Sequence, residues 1–128
     1  MDYGYQRLIN KPFENVNQEI RESLQKQGFG VLTEISVNDT LKKKLGVDFR
    51  KYLILGACNP AFAYEALEAE LEIGLLLPCN VVLWENENGT TTLSAIDAQK
   101  MLGVSEMAGL EEVAEKVNSL LRQAVDAV

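Results

Sequence analysis

"YLILGACNPAF", Tyr52 to Phe62, decides how this chain is read. Tyr52 to Ala57 is an unbroken apolar run rich in β-formers, the pattern of a central strand covered on both faces. Asn59 is a favoured N-cap residue, whose side chain accepts from N–H groups of a first helical turn. Pro60 suits the first helical position, where its missing N–H costs nothing and its ring presets φ. A strand therefore runs straight into a helix, with the small, apolar Cys58 at the joint.

Downstream, the helix extends to about Glu70. Tyr64, Leu67 and Leu71 share one face and Glu65, Glu68 and Glu72 another. "GLLLPCNVVLWE", Gly74 to Glu85, reads as a long strand; Pro78 cannot donate to a ladder, so it marks an edge, a bulge or the true strand start. Asn88-Gly89 fits the pair of positive φ angles in a type I′ hairpin turn, with Thr90 to Ile96 as the partner strand. Asp97 caps a short helix closed by Gly103. Ser105 begins a long helix to about Val128, whose wide apolar stripe includes Leu110, Val113, Ala114, Val117, Leu121 and Val125.

Upstream, "FGVLTEISV" alternates. Val31, Thr33, Ile35 and Val37 face one way, Leu32, Glu34 and Ser36 the other, as in a half-buried strand. Asn38 or Asp39 caps a short helix with Leu41 and Leu45 on one side, and Gly46 stops it. Tyr5 to Ile9 is a first strand. Pro12 opens a helix with Phe13, Val16, Ile20 and Leu24 in one stripe, and Gly28 is its left-handed stop. These elements make one α+β domain over residues 1–128: a sheet of about five strands with two main helices laid over it.

Bulk composition limits the function. The 128 residues are 47% hydrophobic and 24% charged, ordinary for a globular protein. No apolar run is long enough to span a membrane. "MDYGYQRLIN" shows no basic region followed by an apolar one, so no secretion signal is expected and the chain is placed in the cytoplasm, where thiols stay reduced. A net charge of −7 repels phosphate backbones, which argues against nucleic acid as a partner. Lys42, Lys43, Lys44, Arg50 and Lys51 form a local basic run, read as a solvated surface. There is no histidine, so no Ser-His-Asp or Cys-His triad can form within the chain.

Chemistry then rests on two Cys-Asn pairs, Cys58-Asn59 and Cys79-Asn80. A disulfide is not expected in a reducing compartment. Cys58, just before a helix start, would have its thiolate stabilised by N–H groups and the helix dipole, which is the argument for a thiol enzyme or redox sensor. A Zn2+ site could use Cys58 and Cys79, but it lacks CxxC spacing and needs further donors. Otherwise both cysteines are small buried hydrophobes. Asn80 stands in an apolar run; if buried, its amide needs partners or costs about 1–3 kcal/mol. The glutamates Glu65, Glu68 and Glu72, with Glu70 nearby, are read as a solvated face rather than a cation site.

The segments "FGVLTEI", "LKKKLGVD", "YLILGACNP" and "IGLLLPCNVV", in this order, make the chain resemble domain-of-unknown-function family 302, and the resemblance extends over nearly its whole length. It implies a β-α-β(4)-α fold, with the short helices around Leu41 and Tyr64 as insertions. It implies no activity and transfers no catalytic residue. Tandem and fused copies in the family imply a module that meets a partner or itself. The expectation is a ligand-binding or protein-interaction module, homodimeric through an exposed strand edge. Cys58, Asn59, Cys79 and Asn80 would hold an unknown small ligand, with no cofactor predicted; the alternatives are thiol chemistry at Cys58 or zinc at the two cysteines.

Overall fold

The computed structural model describes residues 2–104 and 109–128. In chain order the elements are β1 (Gly4–Ile9), α1 (Phe13–Lys26), β2 (Gly30–Ser36), α2 (Val37–Leu45), β3 (Tyr52–Cys58), α3 (Pro60–Ala69), a 3₁₀ segment (Leu71–Leu76), β4 (Cys79–Glu85), β5 (Thr91–Ile96), α4 (Ala98–Gly103) and α5 (Leu110–Asp126). The strands form one sheet in the order β1-β5-β4-β3-β2, every neighbouring pair antiparallel. This is the expected α+β arrangement, with α2, α3 and α4 added to the β-α-β(4)-α plan.

The two long helices, α1 and α5, lie on the same face. Val16, Ile20 and Leu24 of α1 and Leu121, Ala124 and Val125 of α5 meet Leu55, Val81, Leu83 and Leu93 of the sheet, all essentially sealed from solvent. Burial of that scale, at about 25 cal/mol per Å² of apolar surface, is the main drive for the fold. Between these layers Ser23 donates to the Ala124 carbonyl at 2.6 Å, so a buried hydroxyl is satisfied where the two helices cross.

Neither long helix lies on the opposite face, which corrects the expectation that β3 is covered on both sides. Register sets Gln6, Ser94, Val82, Ile54 and Ile35 side by side in one row, and Leu8, Thr92, Trp84 and Tyr52 in the next. Leu8 is 66% and Ile35 49% exposed. The Tyr52 and Trp84 rings stack across the β3–β4 pair with centroids 5.5 Å apart, and Phe49 tilts against Tyr52. The continuous apolar run was read as two-sided cover, but one covered face and one aromatic, open face produce the same run.

Other local differences have identifiable causes. β2 bulges between Val31 and Thr33, so Leu32 is the extra residue; Val31 pairs with Ala57 but Thr33 pairs with Gly56. Val31 therefore points towards the helices, while Thr33 and Ile35 point away, and strict alternation fails at one residue. Asn38 does not cap α2. Ser36 is the N-cap residue and makes no side-chain cap, whereas Asn38 Oδ1 accepts from the Tyr52 N–H at 3.0 Å and ties α2 to β3. Gly46 ends α2 in the left-handed conformation, and Gly28 follows α1 with φ 86°, both as expected. β4 begins at Cys79, because residues 71–76 coil as a 3₁₀ segment and the Leu77–Pro78 peptide is cis. In the β4–β5 loop Gly89 donates to the Asn86 carbonyl and Asn86 to the Thr90 carbonyl. The loop is thus three residues long with Gly89 at positive φ, not a two-residue type I′ turn. The expected start of the long helix at Ser105 lies outside the described residues.

Candidate functional site

β3 ends where the sequence places its turn. Asn59, in an extended conformation, accepts from the Phe62 N–H at 3.5 Å and Pro60 takes the first helical position of α3. A Cβ at Gly28 would stand only 3.0 Å from Asn59 Nδ2, so the positive-φ glycine after α1 also leaves room for the capping amide. With its start pinned, α3 presents Phe62, Ala63, Ala66 and Leu67 to a pocket at this end of the sheet.

The pocket encloses about 340 Å³. The β2 bulge contributes Leu32 and Thr33 to its wall, the approach to β4 contributes Leu77 and Pro78, and the far side is Met101 and Leu102 of α4 with Val113 and Val117 of α5. Among the described residues that line it, none is charged; Thr33, Asn59 and the two thiols are the polar groups.

Cys58 and Cys79 both line this pocket. Cys79 pairs directly with Ala57, the residue before Cys58. Burial pushes the Cys79 thiol up to about 11, and the nearby Cys58 adds to the rise. At neutral pH Cys79 is a neutral, inert thiol. Cys58 is half-buried, and neither cysteine is in a disulfide. Asn59 lies on the pocket wall, while Asn80 does not. It pairs with Gly56 on the face away from the long helices and is exposed, so its amide meets water rather than a buried partner.

The acidic and basic runs stand apart from the pocket lining. Glu65, Glu68 and Glu72 are exposed, and no group of three or more Cys, Asp or Glu is gathered as a metal site among the described residues. A Zn2+ ion at Cys58 and Cys79 would find two sulfur donors against an apolar wall, short of the four that a structural site uses. In the basic run Lys42 pairs with Asp48 at 2.9 Å and Lys51 with Glu14 at 2.6 Å, all four at the surface.

What sequence reasoning missed is the far wall and its fastening. The α5 stripe packs on the sheet through most of its length, yet Val113 and Val117 also line the pocket. Asn118, buried beside them, accepts from the Ala98 N–H and donates to Asp97 Oδ1 at 2.8 Å and Gln99 Oε1 at 3.3 Å. Asp97 in turn caps α4, accepting from the N–H groups of Gln99 and Lys100. Burial alone would raise the Asp97 carboxyl, but the hydrogen bonds from Asn118, Lys100 and Gln99 outweigh it and hold it below the ordinary carboxylate range. The available signal was a lone asparagine inside an otherwise apolar helical stripe.

Comparison with known proteins agrees with this architecture. The family model DUF302, described as a domain of unknown function, matches residues 5–128. The crystal structure of an uncharacterized conserved DUF302 protein from Bacillus stearothermophilus is similar with a TM-score of 0.90 and 31% identity, covering 99% of this chain and 98% of that one. Comparison with curated proteins gives no match. The match brings a fold without an activity, and it runs over nearly all of the chain: this protein belongs to the DUF302 family.

Proposed function

We propose that this chain is a small binding module that holds a compact, uncharged, apolar ligand in the pocket between α3, α4 and α5. One observation carries the reading: an uncharged pocket of about 340 Å³ with Cys58, Cys79 and Asn59 on its wall, at the low end of the size range of ligand sites. Among the described lining residues no cation stands to meet a carboxylate or phosphate, so affinity there rests on apolar burial with a few orienting polar groups. The module works as a homodimer in the cytoplasm. Two unlinked thiols on one wall suit a reducing compartment, and no helix among the described residues is long and apolar enough to cross a membrane.

The test is titration with 1-aminoanthracene, a neutral fluorescent hydrophobe. One molecule per chain should bind with enhanced emission, and Ala63→Phe, which fills the pocket from its wall, should abolish binding while thermal unfolding stays near that of the wild type. No binding to the wild type, or binding indifferent to Ala63→Phe in a folded protein, overturns the reading.

A further inference from the structure

We infer that the face of the sheet away from the long helices is the surface on which a second copy of this chain docks. The inference rests on the homodimer reading above and moves the contact from the sheet edge to the sheet face. The edges are poor partners: β2 is interrupted by the bulge at Leu32, and β1 is only six residues long. Both features blunt edge-to-edge pairing.

The face has the opposite character. Between Gly4 and Ile35 no strand residue that points to this side is Asp, Glu, Lys or Arg, in a chain that is 24% charged. Its middle row is Gln6, Ser94, Val82, Ile54 and Ile35; the Tyr52–Trp84 stack lies in the next row, at the end where β3 begins, and Leu8 and Ile35 stand exposed near the two sides. Aliphatic and aromatic residues with charge excluded are the composition of an interface core. The occupant follows from charge and area. Two copies at −7 each repel, so they approach with least opposition through a neutral surface. Five strands spaced about 4.8 Å, each about 20 Å long, present about 500 Å² in projection, or about 1,000 Å² for two copies, the size of a weak, reversible dimer interface. Two such faces pack as aligned sheets about 10 Å apart, related by a two-fold axis, each copy offering the same patch to the other.

Trp84 is the sole tryptophan of the chain and stands on this face beside Tyr52, so its fluorescence reports on the docking directly. The experiment is light scattering after size exclusion, with Trp84 emission and acrylamide quenching, on dilution from about 200 μM to 0.5 μM, a span that covers ordinary dimer affinities. The wild type should show a dimer mass at the high end and red-shifted, more readily quenched Trp84 emission as it dissociates. Ile35→Lys and Leu8→Lys, both at exposed positions and checked for folding by circular dichroism, should shift the monomer–dimer midpoint at least tenfold upward. A wild type that is monomeric throughout overturns the homodimer reading itself. A dimer whose Trp84 emission is unchanged on dissociation, or which both lysine variants leave intact, overturns this surface while leaving a dimer in place.

Discussion

Leu83 and Val82 are neighbours in β4, and their surroundings share nothing. Leu83 is sealed beneath the helix layer, whereas Val82 stands on the face away from the long helices. Both are aliphatic, and either would pass for a core residue in the sequence. The difference shows that apolar character along a strand fixes which residues can be buried, and only the placement of the crossover helices fixes which are. β1-α1-β2 and the final α5 put both long helices on one side, so the apolar residues of the other side are left for something outside the fold.

The sharpest contrast to test is chemical. Cys79 lies on the covered side with a thiol at about 11, so near pH 8 it should alkylate roughly two to three orders of magnitude more slowly than an ordinary thiol of about 8.5. Because burial raises this value, the rate should keep climbing about tenfold per pH unit until it nears 11, where a normal thiol has long reached its plateau. Peptide mass spectrometry after timed iodoacetamide exposure checks it, and a Cys79 plateau near pH 9 would break the contrast.

Next in size is the core itself. Leu83→Ala should cost about 2–5 kcal/mol in urea unfolding, whatever the protein concentration. Val82→Thr should cost no more than about 0.5 kcal/mol in dilute solution, with any larger effect growing with concentration. Equal, concentration-independent costs would mean that the two faces are not different after all.

The covered side also depends on a polar fastening, at Asn118. Asn118→Ala leaves the Ala98 N–H without its partner and frees α4 from α5, which should cost about 1–3 kcal/mol and weaken aminoanthracene binding. Asp97→Asn keeps a capping oxygen but removes the charge to which Asn118, Gln99 and Lys100 donate, which should cost about 1 kcal/mol at neutral pH. The sign of its pH dependence follows from the lowered carboxyl. The carboxylate contributes in full above the unfolded value of about 3.9, and its contribution is lost as pH falls through the lower folded value. Thermal unfolding should thus separate wild type and variant by a constant interval from pH 8 to about 5, closing below about 4.

The sequence made the local grammar legible. Asn59 and Pro60 marked the start of α3, Gly28 and Gly46 marked helix stops, and Asp97 marked the cap of α4, because each is a short-range geometric demand met within a few residues. It also singled out Cys58, Asn59, Cys79 and Asn80; the first three share a pocket wall, and the strand pleat turns Asn80 the other way. Features set by distant partners stayed hidden. The bulge at Leu32 depends on how β2 must register against Gly56 and Ala57, and the buried role of Asn118 depends on α4 folding back over α5. Residues 74–76 read as strand because their leucines suit either a 3₁₀ segment or a sheet, and apolar runs that short do not separate the two.

The pairing of β1 with β5 also sets an order of events during synthesis. β1 is made first, yet its partners, from Thr91 opposite Ile9 to Ile96 opposite Gly4, emerge only after every other strand exists. β2, β3 and β4 can zip sequentially as they leave the ribosome, while residues 4–9 must wait as a loose strand. Their sequence, GYQRLI, intersperses Gln6 and Arg7 among the apolar residues, which keeps a waiting segment soluble until its place opens. Completion of the sheet is therefore the longest-range strand pairing the chain must close.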